Sequence, residues 1–294
     1  MGSILNMPQC CSSSTSFEQI SPSKRKKLPK NLQDPKTSYT LDIDNYSLQN
    51  NTIMSNIEKL KEYLRCVGKD LYENDKVEDD FMTIANILLN GCIIKVNSKR
   101  YRMLEIEFYL FGKKHQDIIA YPRTDMEGGE WFFHPSGVDL CFKSHCERKD
   151  DHFVIDIDNN KFGGILIRSI EEVDCHMNPI GKPIFGPWNS MDVFFHKFGA
   201  FDDNRDINQI ACIEEAAYPS NDCIVPIPTK RHIPLKADGI SNKVKNILSE
   251  NYKQKEGTDD WKESFETYLK RNWRYYIQRD NFWKNYNANP TKAK

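Results

Sequence analysis

The sequence predicts a mixed α/β (α+β) domain, with short helices outside a curved, largely antiparallel sheet. Three observations lead there. Apolar residues first recur at the spacing of one helical face. Strand signals then follow one another from Cys92 onward, separated by turn residues. The chain has 294 residues and no internal repeat, so one domain with a full core is the economical count.

The first helical face is Ile53, Ile57, Leu60, Leu64, Val67 and Leu71. A second helix is expected over Phe81–Leu89, and Gly91 is well placed to end it. Strands are expected at Cys92–Val96, Tyr101–Phe111, Trp131–Phe133, Val138–Phe142, Phe153–Ile157 and Gly164–Ile170. A helix follows Pro187 and runs through Phe198. Cys223–Leu235 mixes apolar residues with Pro226, Pro228 and Pro234, which suggests an extended edge. A polar stretch, Ser241–Asp260, leads to a helix at Trp261–Lys270 and a closing strand at Trp273–Ile277. The domain is therefore expected over residues 53–286. Residues 1–52 are Ser-, Pro- and Lys-rich, without sustained period, and read as a disordered basic tail, with a second short tail at 287–294.

Lys+Arg number 41 against 42 Asp+Glu, a formal net charge of −1, and 28% of residues are charged, as in an ordinary globular domain. No run of 18 apolar residues exists, so no membrane span is expected. Nine cysteines of irregular spacing, without an apolar leader, point to reduced thiols and an intracellular place, cytoplasmic or nuclear. Cys141, His145, Cys146, Cys175 and His176 match none of the common zinc spacings, and no metal or cofactor is expected. The near-zero charge argues against a broadly basic, duplex-binding surface. Basic residues gather locally at Lys24–Lys30, at Lys230 and Arg231, and over Lys270–Arg279, which could seat one strand of nucleic acid. A monomer is expected.

The segment Arg102–Phe111 carries the chemistry. In a strand, alternate residues share a face, so Leu104, Ile106, Phe108 and Leu110 should meet the core. Glu105, Glu107 and Tyr109 then share the other face, with the two carboxylates roughly 7 Å apart. Beside an aromatic in a cleft, one of them could act as a general base; on an open face they would be ordinary solvent-side glutamates.

From Ala85 the chain reads Ala-Asn-Ile-Leu-Leu-Asn-Gly-Cys-Ile-Ile-Lys-Val, then a turn, then Leu-Glu-Ile-Glu-Phe-Tyr-Leu. This resembles the opening of the alkyladenine (3-methyladenine) DNA glycosylase family, whose Leu-Leu-Gly helix end leads into a V-E-T-E-A-Y strand. In order, Asp117-Ile-Ile-Ala120-Tyr121 resembles that family's D-x-x-A-H, and Gly137 to Cys141 its Gly followed by Cys. Gly164 to Glu171 resembles V-L-L-R-A-L-E-P, Gly186-Pro187 its G-P segment, and Trp273 to Asn281 its closing R-F-Y-V-R-x-x-P strand.

The resemblance spans about Ala85 to Trp283 and implies that family's single mixed α/β fold. It also implies a monofunctional hydrolase of the base excision repair type, flipping a modified purine out of DNA and cleaving its N-glycosidic bond. Glu107 takes the role of the water-activating carboxylate. Tyr109, Tyr121 and Phe133 fall where rings hold the extruded base, each stack being worth about 1–3 kcal/mol. Arg168 matches an Arg near the phosphate or the catalytic Glu. Three positions depart from the pattern. Ser136 stands where the family has an aromatic wedge, Lys143 replaces a base-discriminating Asn, and Tyr121 replaces the pocket His. His134 or Trp131 could take over the wedge. Loss of the wedge favours, as alternatives, an N-glycosidase acting on single-stranded, RNA or free nucleotide substrates, or a non-catalytic binding module.

Overall fold

A computed structural model describes residues 54–149, 152–153, 156–195, 211–218, 223–231, 235–236, 239–240 and 266–278. Both expected tails, the basic cluster at Lys24–Lys30, the polar stretch Ser241–Asp260 and the end of the helix at 196–198 lie outside the described residues.

Helix α1, Asn56–Leu64, begins where Ser55 accepts the Glu58 N–H. It ends two turns before the apolar spacing does. Cys66 adopts φ +55°, its N–H reaches the Tyr63 carbonyl at 3.2 Å, and the Val67 N–H reaches that of Glu62 at 2.9 Å. This left-handed stop, usually made by glycine, redirects the chain. Val67 is consequently 58% exposed instead of facing the core, and Leu71 is buried by a separate 3-10 turn, Leu71–Glu73. Helix α2 spans Val77–Gly91, a full turn longer at its start than the apolar pattern indicates, with Glu78, Asp79 and Asp80 in its first turn. A Cβ on Gly91 would lie 2.8 Å from the Asn56 amide, so the two helices approach closely there.

The strands are β1 Cys92–Val96, β2 Lys99–Phe111, β3 Trp131–His134, β4 Gly137–Cys141, β5 Arg148–Lys149, β6 His152–Phe153, β7 Phe162–Val173 and β8 Ile184–Phe185. Helix α3, Pro187–Phe195, follows, then β9 Cys212–Glu215, β10 Ile227–Thr229, β11 Leu235–Lys236, β12 Gly239–Ile240 and β13 Arg274–Tyr276. Residues 266–270 are helical.

Every strand pairing is antiparallel, and the main sheet runs β10-β13-β2-β7-β4-β3. β2 is its spine. β7 follows it along one edge, while the other edge carries β1 and then β13 in succession. β9 extends the sheet from β1. The proline-bearing β10 sits at an edge, where a residue without an N–H is tolerated. Of the strand expected at Phe153–Ile157, Phe153 pairs with Arg148, residues 154–155 lie outside the described residues, and Ile157 lies in a turn closed by the Asn160 N–H on the Asp156 carbonyl at 2.7 Å.

The helices cover one face of the sheet. Leu104, Ile106, Phe108 and Leu110 meet Leu60, Phe81, Ile84 and Leu88 there, together with Trp273 and Tyr275. Phe81 stacks on Phe108 at 4.1 Å between ring centroids, and Tyr275 meets Phe108 edge-on at 5.4 Å. Phe108→Ala should therefore cost about 3–5 kcal/mol, measured as the loss of unfolding free energy in urea.

His115 is also buried here. Its Nε2 meets the Asn74 carbonyl at 2.9 Å, and Nδ1 has no hydrogen-bond partner. Burial lowers its pKa below the ordinary 6.5, with the Asn74 bond opposing. The folded state thus binds fewer protons than the unfolded chain. Its contribution to stability is complete above about pH 6.5 and is lost as the pH falls through the lowered folded value. Melting curves at pH 7 and pH 5 should show a smaller acid loss in His115→Gln than in wild type; equal losses would contradict this.

Candidate active site

The face of β2 opposite the helices is neither open to solvent nor a bare cleft. It is a buried layer of ion pairs. Its geometry begins with an irregularity between β2 and β7. Met103 stands opposite Ile170, Glu105 opposite Ser169 and Ile106 opposite Ile167, so the register shifts at Leu104 on β2 and at Arg168 on β7. Strict alternation would send Arg168 and Ser169 to opposite faces; the displaced register lets both reach Glu105. The Ser169 hydroxyl donates to Glu105 Oε2 at 2.7 Å, and Arg168 Nε and Arg274 Nη1 reach Oε1 at 3.3 and 3.2 Å.

The same guanidinium serves the second carboxylate. Arg168 Nη1 lies 3.0 Å from Glu107 Oε2, and the Tyr109 hydroxyl donates to Oε1 at 2.5 Å. Glu107 is 0% exposed. Burial pushes the Tyr109 phenol well above its ordinary range, and the neighbouring Glu107 charge adds to the rise. Glu105 thus meets two cations and a hydroxyl, and Glu107 meets the Arg168 guanidinium and the Tyr109 phenol.

Two further pairs flank them. Asp117 and Arg231 form a bidentate pair at 2.6 and 3.0 Å, both side chains fully buried. Asp117 also accepts the Leu110 N–H at 3.3 Å, and the Arg231 guanidinium lies 5.1 Å from the Tyr109 ring centroid. Arg231 and Arg274, counted from the sequence within surface basic patches, are thus interior groups neutralising carboxylates.

On the β4 side, Leu166 stands opposite both Glu107 and Asp139, so Asp139 shares the layer. Arg123 Nη2 and His134 Nε2 each lie 3.0 Å from Asp139. Burial opposes the Asp139 charge, but His134 and Arg123 outweigh it and hold the carboxyl below its usual range. His134 Nδ1 accepts the Ser136 backbone N–H at 3.2 Å, so the Nε2 proton faces Asp139 and both ring nitrogens are engaged. The Tyr121 ring packs against His134 at 4.6 Å between centroids, tilted by 34°, and its hydroxyl lies 3.4 Å from the Ser136 hydroxyl.

Of the residues named from sequence, Glu107, Tyr109, Tyr121, His134 and Arg168 share this face. Phe133 does not. It pairs with Val138, points to the helix-covered side, is 52% exposed and meets Phe195 at 4.6 Å. Its neighbour Phe132 lies opposite Asp139 and under the Arg123 guanidinium at 4.1 Å. Trp131 cannot act as a wedge: its Nε1 donates to the Ala211 carbonyl and its ring packs beside Phe194 and Phe195. The β3–β4 hairpin tip is Pro135-Ser136. Lys143 belongs elsewhere, on a cavity of about 640 Å³ that Arg65, Tyr72, Glu130 and Lys161 also line.

Sequence reading missed Arg123, Asp139, Asp117, Arg231 and Arg274. For Asp139 a signal existed, since a two-residue turn at Pro135-Ser136 already sets Asp139 across from Phe132. Among the described cysteines, Cys92, Cys141 and Cys146 are buried, while Cys175, Cys212 and Cys223 are exposed. Cys141 accepts Arg123 Nη1 at 3.1 Å, and burial pushes its thiol up to about 11 and that of Cys146 up to about 12. Among the described residues, no three His, Cys, Asp or Glu side chains converge to hold a metal ion, and no helix is long and apolar enough to cross a membrane.

Chemically, the layer presents a buried carboxylate beside a phenol and within ion-pair distance of a guanidinium. Removing that guanidinium leaves two buried carboxylates short of a cation. Arg168→Met should cost about 3–5 kcal/mol in urea unfolding, and Arg168→Lys, which cannot fork, should recover only part.

Comparison with known proteins adds a single distant relation. No family model and no solved structure matches the chain. It is 27% identical over 138 residues, 42% of this chain, to an uncharacterized protein, L759, of Acanthamoeba polyphaga mimivirus, and the match spans 61% of that relative's length.

Proposed function

We propose that the chain is a hydrolase of the N-glycosidic bond, similar to the alkyladenine DNA glycosylases, with Glu107 as the base that activates water against a modified purine nucleotide. One observation carries the reading. The second Glu of the matched strand is a fully buried carboxylate that accepts from the Tyr109 hydroxyl, with the Arg168 guanidinium beside it. A carboxylate so placed is suited to general-base work and to steadying positive charge at C1′. Tyr121, packed against His134 in the same layer, is the second ring of the base slot. The partner is nucleic acid, DNA first.

A second reading is favoured by the hairpin tip. Pro135 and Ser136 offer no ring to fill the gap left by a flipped nucleotide, and Arg231 and Arg274 are turned inward. Both features weaken duplex capture and favour single-stranded or RNA substrates for the same chemistry.

Incubation with duplex and single-stranded oligonucleotides carrying hypoxanthine, ethenoadenine or alkylated purines, followed by alkali cleavage, tests both. Abasic sites should form, and Glu107→Gln should reduce their rate by at least about 100-fold while leaving binding intact. Preference for the single strand selects the second reading. Loss of activity in Glu105→Gln but not in Glu107→Gln would assign the base to the wrong residue. No abasic sites on any substrate would leave a non-catalytic binding module.

A further inference from the structure

Arg231 lies far along the chain from the strand that carries Glu107, yet its guanidinium is enclosed beside that site. Its two terminal nitrogens meet both oxygens of Asp117, and its Nε donates to the Tyr268 carbonyl at 3.2 Å. All three nitrogens of the fork are therefore fixed. Two rings lie close to it, with the Tyr109 centroid at 5.1 Å and that of Trp273 at 5.6 Å. Asp117 in turn is tied to β2 through the Leu110 N–H, one residue beyond Tyr109, and to its own turn through the Ile119 N–H at 3.4 Å.

We infer that Arg231 is a positioning residue for the Glu107 site, acting with Asp117 to set the Tyr109 ring so that its hydroxyl points at Glu107. This rests on the hydrolase reading above. A phenol on a two-bond side chain can swing, and a carboxylate bonded to it swings as well. A planar cation fixed at three nitrogens beside the ring removes that freedom, and misplacement of a reacting group by about 1 Å can cost roughly 100-fold in rate. The Arg231 charge is felt at both Tyr109 and Glu107, and its positioning effect, which Arg231→Lys separates from that charge, passes through Tyr109.

Base release from the same oligonucleotides should show kcat reduced by about 100-fold in Arg231→Met with KM unchanged. Arg231→Lys, which keeps the charge without the fork, covers the case in which the methionine variant fails to fold, and should show a smaller fall of the same kind. The cycle with Tyr109→Phe is decisive: adding Arg231→Lys to Tyr109→Phe should cost little more than Tyr109→Phe alone. Multiplicative losses, or a rise in KM at constant kcat, would overturn the inference. If wild type releases no base, the hydrolase reading falls and the same cycle is run on urea midpoints. There the double variant should lose less than the two single losses combined, and strict additivity would overturn the link between Arg231 and Tyr109.

Discussion

A single guanidinium, that of Arg168, stands between two carboxylates on one strand, and much of the architecture is arranged so that it can. Glu105 and Glu107 are both buried, and neither could be taken out of water without a cation and well-aimed donors. Regular pairing of β2 with β7 would not deliver them. The register displacement at Glu105 brings Arg168 and Ser169 to the same side, and β13 adds Arg274 from the opposite edge of β2. The closing strand is thus placed as much by this charge layer as by the packing of Trp273 and Tyr275 beneath it.

The layer also divides labour between the two faces of the sheet. The helix-covered face is apolar and rigid, built on Phe81, Phe108 and their neighbours. The other face holds Glu105, Glu107, Asp117 and Asp139 against Arg123, Arg168, Arg231 and Arg274. Such pairs add little net stability compared with apolar groups of the same size, because desolvation offsets most of the attraction. A whole face of them presents fixed charges that act without reorganising.

The alternation of β2 was plain in the sequence, and with it the core face and the shared face of Glu105, Glu107 and Tyr109. The helical periodicity over residues 81–89, though not the first turn at Val77–Asp80, and the edge placement of the proline-bearing strand were legible for the same reason: local periodicity and local backbone chemistry fix them. What could not be read was the displaced register of β2 against β7 and the contacts made far along the chain. Ser169 reaches Glu105 only because of the displaced pairing. Phe133 leaves the site only because the hairpin turn puts Phe132 and His134 on the polar face. Arg231 meets Asp117 across 114 residues, a contact that no local pattern encodes.

That last point alters what the formal charge of −1 says. Read as a surface property, it counts against nucleic acid, with the basic patches at Lys230-Arg231 and beyond Lys270 as mitigation. In the folded chain the four layer arginines and four layer carboxylates cancel, so the net charge is unchanged while part of that mitigation disappears inward. Capture of a polyanion would then depend less on a general field than on specific groups beside the site. On the hydrolase reading proposed above, a buried carboxylate held by fixed partners would suit a substrate whose base is already unstacked, because the energy otherwise spent on extruding a base need not come from phosphate contacts.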